Sequence, residues 1–133
     1  MQLRQWAKRD NTGRSFDSST GFRLPNGALR SPDASWVSHE QLKPLSSEQF
    51  RKFLPLCPEF VVELLSPSDS LAVTQQKMQE YIENGAELGW LIDMREEQVY
   101  VYSREGVEKL EAPETLSAEP VLSGFTLDLS EIW

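Results

Sequence analysis

Apolar and polar positions alternate in short segments along the first third of the chain, a pattern typical of a helix followed by strands. Leu3 and Trp6 are apolar and lie three positions apart, which predicts the last turns of a helix over 2–9. One strand is predicted over 15–24 and a second over about 34–37. Pro25-Asn26-Gly27 is predicted to form a turn between them, because proline presets φ and glycine accepts a positive φ.

The middle of the chain predicts a short helix, a buried strand and a longer helix. Ser46 and Gln49 match a capping box, which marks the start of the short helix. The run over 59–65 is almost continuously apolar, which is typical of a strand buried on both faces. A helix over about 70–84 follows a loop and N-cap at Ser66-Pro67-Ser68-Asp69 and stops at an Asn-Gly pair.

Strands return after this helix. They are predicted over 88–93 and 98–102, and the tail adds one or two more near 107–110 and 120–129. Strands, then a helix, then strands predict an α/β fold with a mixed central β-sheet flanked by helices. A length of 133 residues predicts a single domain over 1–133.

The composition excludes several classes of protein. Apolar residues make up 39% and charged residues 26%, as in ordinary globular domains, and no apolar run approaches the roughly 18 residues of a membrane span. The first ten residues carry charges with no apolar segment behind them, so no secretory signal is predicted. The single cysteine, Cys57, cannot form an internal disulfide. We therefore expect a soluble cytoplasmic domain with no membrane partner.

Charge is divided unevenly along the chain. The net charge is −8, which argues against non-specific coating of nucleic acid. Residues 1–30 contain six Arg and Lys and two Asp. The remaining 103 residues contain seven Arg and Lys and nineteen Asp and Glu. The basic leading segment either presents one face to a phosphate backbone or is simply a solvated helix surface.

Glu63 is the residue that packing explains least. It lies inside the apolar strand predicted over 59–65, where an ionised carboxylate needs a cation, a metal or a shifted pKa. Period-two alternation places Glu63 on one face with Val61 and Leu65. The alternative is an edge strand that leaves Glu63 in solvent.

Asp33 and Lys77 are two further candidates for chemistry. Asp33 follows Pro32 at the entry to a strand, where a turn or cap is the ordinary interpretation. Paired with a buried Glu63, however, it would supply a second hard oxygen ligand for Mg²⁺ or Mn²⁺. Lys77 borders the apolar face of the predicted helix, one turn before Tyr81, and is either a surface lysine or a cation directed at the two carboxylates.

Other reaction types have little support in the sequence. The only histidine, His39, lies in a polar stretch and is expected to be exposed to solvent. Cys57 lies between Leu56 and Pro58 and is expected to be a small core or loop residue rather than a nucleophile. Serine- or cysteine-triad hydrolysis is therefore not indicated, and no glycine-rich phosphate loop is present in the sequence.

Six segments in order resemble the Uma-two family of bacterial endonucleases, within the PD-(D/E)XK restriction-endonuclease-like superfamily. The resemblance runs from about residue 3 to the end of the chain. The segments are Thr20-Gly21-Phe22, Leu24-Pro25-Asn26-Gly27, Arg30-Ser31-Pro32-Asp33-Ala34-Ser35-Trp36-Val37, Phe60-Val61-Val62-Glu63-Leu64-Leu65-Ser66-Pro67-Ser68-Asp69, Lys77-Met78-Gln79-Glu80-Tyr81, and Asn84-Gly85-Ala86 leading to Gly89-Trp90-Leu91-Ile92-Asp93.

The resemblance implies a restriction-endonuclease-like fold and Mg²⁺-dependent hydrolysis of phosphodiester bonds in DNA, with Mn²⁺ as a possible substitute. Asp33 and Glu63 match the two acidic metal ligands of the superfamily, and the backbone carbonyl of Leu64 matches the third. The superfamily lysine usually lies two residues after the second acid, where this chain has Leu65. In the Uma-two family it lies on the following helix, at the position that Lys77 matches.

The resemblance also implies supporting roles and partners. Ser66, Asp69 and Tyr81 match positions that surround the metal pocket rather than bind the metal. A homodimer is expected from the superfamily. Trp90, Tyr100, Tyr102 and Trp133 are aromatic candidates for its interface, and the alternative is that most of them belong to the core. The basic leading segment offers Arg9, Arg14 and Arg23 as nucleic-acid-binding candidates.

Two departures from the family pattern leave an alternative function open. Family members are usually longer at the N-terminus, so this chain is expected to lack part of it. Many superfamily nucleases carry an acidic residue on the first helix, whereas residues 1–9 contain none. The alternative is a catalytically inactive module that binds nucleic acid or dimerises while it retains the nuclease fold.

Overall fold

The computed structural model describes residues 2–130 and 132–133, and six of its strands form one mixed sheet. Helices cover both faces of this sheet. In chain order the elements are α1 (Gln2–Asp10), β1 (Gly13–Asp17), β2 (Phe22–Arg23), β3 (Leu29–Arg30), β4 (Ala34–Ser38), α2 (His39–Leu42), α3 (Ser47–Arg51), β5 (Phe60–Leu65), α4 (Leu71–Glu83), β6 (Leu88–Asp93), β7 (Gln98–Ser103), β8 (Gly106–Glu111), β9 (Thr115–Ser117) and β10 (Thr126–Asp128).

The strand order across the sheet is β1-β4-β5-β6-β7-β8. Strands β5 and β6 are parallel and are joined by helix α4, whereas every other neighbouring pair is antiparallel. β5 is therefore an internal strand, with β4 on one side and β6 on the other. This topology confirms the predicted mixed sheet flanked by helices.

The two faces of β5 belong to two separate hydrophobic clusters. Phe60 and Val62 pack in the cluster that includes Leu3 and Trp6 of α1. Val61 and Leu65, on the opposite face, pack in the cluster that includes Met78 and Tyr81 of α4. The alternation predicted for this strand is confirmed, and Glu63 lies on the α4 face. Leu64 is the exception to burial, because 43% of its surface is exposed at the end of the strand.

The strand predicted over 15–24 is wrong as one continuous element. It divides into β1, which ends at Asp17, and the two-residue strand β2. The Asp17 carboxylate accepts hydrogen bonds from the backbone N–H and the hydroxyl of Ser19, which turns the chain directly after β1. A local side-chain hydrogen bond thus competes with strand extension at this point.

Most of the remaining predicted elements differ from the structure at their ends. The strand predicted near 120–129 is wrong over most of its length, because the Leu122 N–H donates to the Ala118 carbonyl and folds this segment into a turn, and only Thr126–Asp128 forms a strand. The capping box at Ser46 and Gln49 is confirmed, with both reciprocal hydrogen bonds present. Helix α4 is capped by Ser70 rather than by the preceding residues, since the Ser70 hydroxyl accepts the N–H of Val73. The tail forms β8, β9 and β10, of which β9 and β10 pair with each other outside the main sheet.

The aromatic residues suggested for a dimer interface divide into two groups. Trp90 and Tyr102 are buried within the protomer and belong to its core, so both are unsuitable for an interface. Tyr100 and Trp133 are half-buried. The homodimer itself stays a prediction. Within residues 2–130 and 132–133, no helix is both long enough and apolar enough to span a membrane.

Candidate functional site

Asp33 lies where the pairing between β4 and β5 ends. The last paired residues are Ala34 and Val62, and one further step in the same register places Asp33 opposite Glu63. The Asp33 Oδ2 atom accepts the backbone N–H of Leu64 at 2.7 Å. The carboxylate therefore takes a hydrogen bond from β5 just beyond the last paired residues, and this bond holds it next to the end of that strand. A local turn or cap does not describe Asp33, because this hydrogen bond joins the residue before β4 to β5, 31 positions away in the sequence.

Glu63 is buried in the interior of the sheet, with 5% of its surface exposed. The edge-strand alternative is wrong, because β5 has a neighbour on each side. Burial raises the pKa of the Glu63 carboxyl above its ordinary value, and the adjacent Asp33 carboxyl raises that pKa further. A hydrogen bond from Tyr81 and the charge of Lys77 act in the opposite direction without cancelling the effect.

Helix α4 supplies two polar side chains that contact Glu63. The Tyr81 hydroxyl donates a hydrogen bond of 2.7 Å to Glu63 Oε2. Lys77, one helical turn earlier, places its Nζ atom 3.6 Å from the same oxygen, with 35% of its side chain exposed. Burial, together with the neighbouring Glu63 charge, raises the pKa of Tyr81 well above its ordinary value, so the phenol remains a donor. Tyr81 and Lys77 both contact Oε2, and the Asp33 carboxyl lies within hydrogen-bonding range of the Glu63 carboxyl.

The close approach of α4 to the sheet depends on a glycine in β6. A Cβ atom added at Gly89 would lie 2.7 Å from the Met78 Cε atom and 3.2 Å from the Val61 Cγ2 atom. Met78 lies on the same helix between Lys77 and Tyr81 and is fully buried. The absence of a side chain at Gly89 therefore lets α4 pack near enough for both polar residues to reach Glu63.

Ser66 and Asp69 form the loop between β5 and α4. The Asp69 carboxylate accepts the backbone N–H of Ser66 at 2.9 Å. Hydrogen bonds from Ser66 lower the pKa of the exposed Asp69, and the charges of Lys77 and Arg95 contribute in the same direction. A hydrogen bond within the loop thus fixes its conformation directly after β5, and the Asp69 carboxylate is stabilised by the charge of Lys77.

The donor set of this site fits a hard divalent cation. Two carboxylates side by side repel each other, and a cation between them would relieve that repulsion. Asp33 and Glu63 each use one oxygen in the hydrogen bonds described above and retain a second oxygen. No group of three or more His, Cys, Asp or Glu side chains suited to a metal occurs in residues 2–130 and 132–133. A metal here would therefore need a backbone carbonyl and water or phosphate oxygens as further ligands.

A network of Arg30, Glu80 and Asn26 beside this site was missed by the sequence analysis. Arg30 Nε lies 2.7 Å from Glu80 Oε1, and Asn26 Nδ2 donates to Glu80 Oε2 at 3.1 Å. Arg30, Lys77 and Glu80 line one shallow groove. The only signal in the sequence was the position of Arg30 three residues before Asp33.

The basic candidates do not lie together. Arg14, on β1, shares a groove with Arg4 and Lys8 of α1, whereas Arg9 and Arg23 are exposed and line other surfaces. His39 is exposed, as expected. Cys57 is buried, and burial raises the pKa of its thiol to about 12, so at neutral pH it supplies no thiolate.

Comparisons with known proteins agree with this architecture. A family model for Uma2, described as "Putative restriction endonuclease", matches residues 1–130. A search of curated protein sequences gives no match. Among solved structures, the chain is similar to a crystal structure described as a putative nuclease belonging to DUF820 from Anabaena variabilis ATCC 29413. The TM-score is 0.83 and the identity 20%, over 98% of this chain and 73% of the other, so the likeness concerns the fold. Because the family model spans nearly the whole sequence, the chain belongs to the Uma2 family of nuclease-like proteins.

Proposed function

We propose that this protein is a divalent-metal-dependent endonuclease that hydrolyses phosphodiester bonds of DNA. The observation that carries the proposal is the adjacent pair of carboxylates Asp33 and Glu63, with the Lys77 ammonium 3.6 Å from Glu63. A pair of carboxylates with a lysine beside it suits metal-assisted phosphodiester hydrolysis. Membership of a family described as restriction endonucleases supports the same reaction.

Three groups would hold Mg²⁺ or Mn²⁺. They are the second oxygens of the Asp33 and Glu63 carboxylates and the backbone carbonyl of Leu64. When bound, the ion supplies positive charge beside the phosphate and lowers the pKa of a water. The hydrogen bond from the Leu64 N–H to Asp33 holds that carboxylate next to the carbonyl of the same residue.

The remaining residues position and balance the charges of this pair. Lys77 offsets the negative charge of the carboxylates and, being partly exposed, can orient a water or face the developing charge on a phosphate. Tyr81 holds Glu63 through its hydroxyl. Ser66 and Asp69 fix the loop that bounds the site.

A plasmid-nicking assay with Mg²⁺ or Mn²⁺ tests the proposal. We expect the wild type to nick supercoiled DNA, and Lys77→Met and Glu63→Gln to reduce the rate by about 10²–10³-fold, the loss typical of removing one group that stabilises developing charge. The matched controls are Lys109→Met and Glu111→Gln, which remove a similar ion pair, 3.5 Å between Nζ and Oε1, on the far edge strand β8. Both controls should nick DNA at the wild-type rate.

Two results would oppose the proposal in different ways. Equal rates in the site variants and the controls would remove Lys77 and Glu63 from the mechanism. No metal-dependent nicking by the wild type, together with measurable DNA binding, would favour the alternative of an inactive binding module. The absence of an acidic residue from residues 1–9 is the feature that supports this alternative.

The proposal that the protein forms a homodimer rests on the family resemblance alone. Sedimentation equilibrium tests it directly, because a dimer has twice the 15.2 kDa mass of the chain. A single species at the monomer mass up to 100 µM would count against it.

A further inference from the structure

A groove between α1 and β1 is lined by three cations that form no ion pair with the residues that the structure describes. Arg4 and Lys8, four residues apart and therefore on one face of α1, line it together with Arg14 of β1. We call these three residues and the space between them the basic groove. Its volume is about 660 Å³, and Asp17 is its one acidic lining residue.

None of these three cations has a carboxylate within ion-pair distance among residues 2–130 and 132–133. The other described lysines and arginines include five that do form such pairs: Arg30, Lys52, Lys77, Arg95 and Lys109. Asp17 is already engaged by the backbone N–H and hydroxyl of Ser19. The basic groove therefore presents positive charge to solvent on a chain whose net charge is −8.

Arg14 is held in place by aromatic rings. Its guanidinium carbon lies 5.2 Å from the centre of the Phe16 ring and 5.6 Å from the centre of the Phe50 ring. Stacking of this kind orients a guanidinium before any ligand binds and leaves its N–H donors available at the edge. Such a fixed fork is well suited to phosphate oxygens.

The basic groove leads away from the two carboxylates. β1 pairs with β4, with Asp17 opposite Ala34 and Arg14 opposite Val37. Ala34 directly follows Asp33, so Asp17 lies one strand away from Asp33, with its side chain on the α1 face of the sheet. Because a strand rises about 3.3 Å per residue, Arg14 lies about 10 Å beyond Asp17 along β1. Hydrogen bonds from Ser19 and, more weakly, the charge of Arg4 lower the pKa of Asp17, which places Arg4 near Asp17.

We propose that the basic groove binds successive backbone phosphates of the DNA strand whose neighbouring phosphodiester lies at Asp33 and Glu63. The inference rests on the proposed function and assigns its substrate-binding surface. Arg4 contacts the phosphate nearer the carboxylates, and Lys8 and Arg14 contact those farther away. Because these contacts are to phosphates, they carry no sequence preference.

Binding without metal tests this surface independently of cleavage. Fluorescence anisotropy with a labelled 20-base-pair duplex in EDTA, from 50 to 300 mM NaCl, gives both the affinity and its salt dependence. The groove variant is Arg4→Gln/Lys8→Gln/Arg14→Gln. The matched control is Lys52→Gln/Arg104→Gln/Lys109→Gln, which removes the same charge from the end of α3 and from the β7–β8 edge.

We expect the groove variant to bind at least about tenfold more weakly than the control at 50 mM NaCl. The slope of log K against log salt should fall by about 2–3, since each lost phosphate contact removes about 0.9 from that slope. A single reversal, Arg4→Glu on the exposed face of α1, should also weaken binding and guards against a folding defect in the triple variant.

Equal affinity and equal slope in the groove and control variants would overturn the inference, even if the wild type cleaves DNA. Loss of affinity in the groove variant alone would support it, even if the wild type fails to nick a plasmid. Failure of this inference and failure of the proposed nuclease activity are thus separate outcomes.

Discussion

Glu63 is a buried acid whose ionisation costs folding free energy. Below pH 4.5, the ordinary pKa of the side chain, Glu63 is protonated in both the folded and the unfolded chain. As the pH rises above that value the unfolded chain ionises first, because burial raises the folded pKa. The free energy of unfolding contributed by Glu63 therefore falls until the pH has passed the folded pKa.

Glu63→Gln should remove this pH dependence. We expect the stability of the variant relative to wild type to increase as the pH rises above about 4.5, by about 1.4 kcal/mol for each unit by which the folded pKa is raised. Urea unfolding at pH 4, 6 and 8 measures the difference. Glu111→Gln, at an exposed glutamate, is the control. A constant difference across these pH values would contradict the raised pKa.

Tyr81→Phe tests whether the Tyr81 hydroxyl positions the Glu63 carboxylate for metal binding. The variant loses the hydrogen bond to Glu63 Oε2 that favours the ionised carboxylate, so the pKa of Glu63 should rise further. We expect about 10–100-fold weaker metal binding, the usual cost of losing an outer partner of a ligand. Titration of Mn²⁺ followed by water-proton relaxation measures it, with Tyr100→Phe as the control. Unchanged Mn²⁺ affinity would show that Tyr81 serves the core alone.

At this scale the sequence can single out some residues and not others. Glu63 stands out because a carboxylate inside an apolar strand has few structural explanations. Asp33 and Lys77 have ordinary alternatives, and only the packing of β4 and α4 against β5 brings them to Glu63. The partnership of Arg30 and Glu80 joins residues 50 positions apart and leaves no local pattern.

Among the elements, the hairpin of β2 and β3 and the helix α4 are joined by polar contacts. Glu80 accepts hydrogen bonds from Arg30 and Asn26, and the Asn84 Oδ1 atom accepts the N–H of Asn26. The hairpin leads directly into Asp33. These contacts therefore couple the first acidic residue of the site to the helix that carries Lys77.

Glu80→Ala should loosen this connection. Because Arg30 and Glu80 are partly exposed, we expect the free energy of unfolding to fall by only about 1 kcal/mol. Amide exchange should accelerate over residues 22–30, while β6 and β7 remain protected. Glu83→Ala, at an exposed position of the same helix, is the control. Equal exchange rates in both variants would show that Glu80 does not hold the hairpin.

Element prediction succeeds where burial is strong and fails where a local contact decides. The strands over 59–65 and 88–93 and the helix over 70–84 agree with β5, β6 and α4 to within a residue at each end. The strand over 15–24 fails because the hydrogen bonds of Asp17 with Ser19 interrupt it, a side-chain effect that periodicity does not show.

At the scale of the whole molecule, metal binding should increase the free energy of unfolding. An ion that binds the folded chain alone adds about 2.7 kcal/mol to the free energy of unfolding at a concentration 100 times its Kd. We expect Mg²⁺ to raise the midpoint of thermal unfolding of the wild type and to leave Asp33→Ala unchanged. A scanning calorimeter measures both, with Na₂SO₄ at equal ionic strength as the control. An equal rise in the two proteins would indicate a site elsewhere.

The end of the β4–β5 ladder has a consequence for how activity can be lost among relatives. Side chains alternate along a strand, so one residue inserted between Asp33 and Ala34 would turn the carboxylate toward the opposite face of the sheet. The apolar residues of β4 would keep their places, and the chain would still fold. Two gene copies with identical motifs would then differ in activity through spacing alone. Sorting active from inactive relatives therefore requires the distance from the Pro-Asp pair to the strand as well as the identity of the residues.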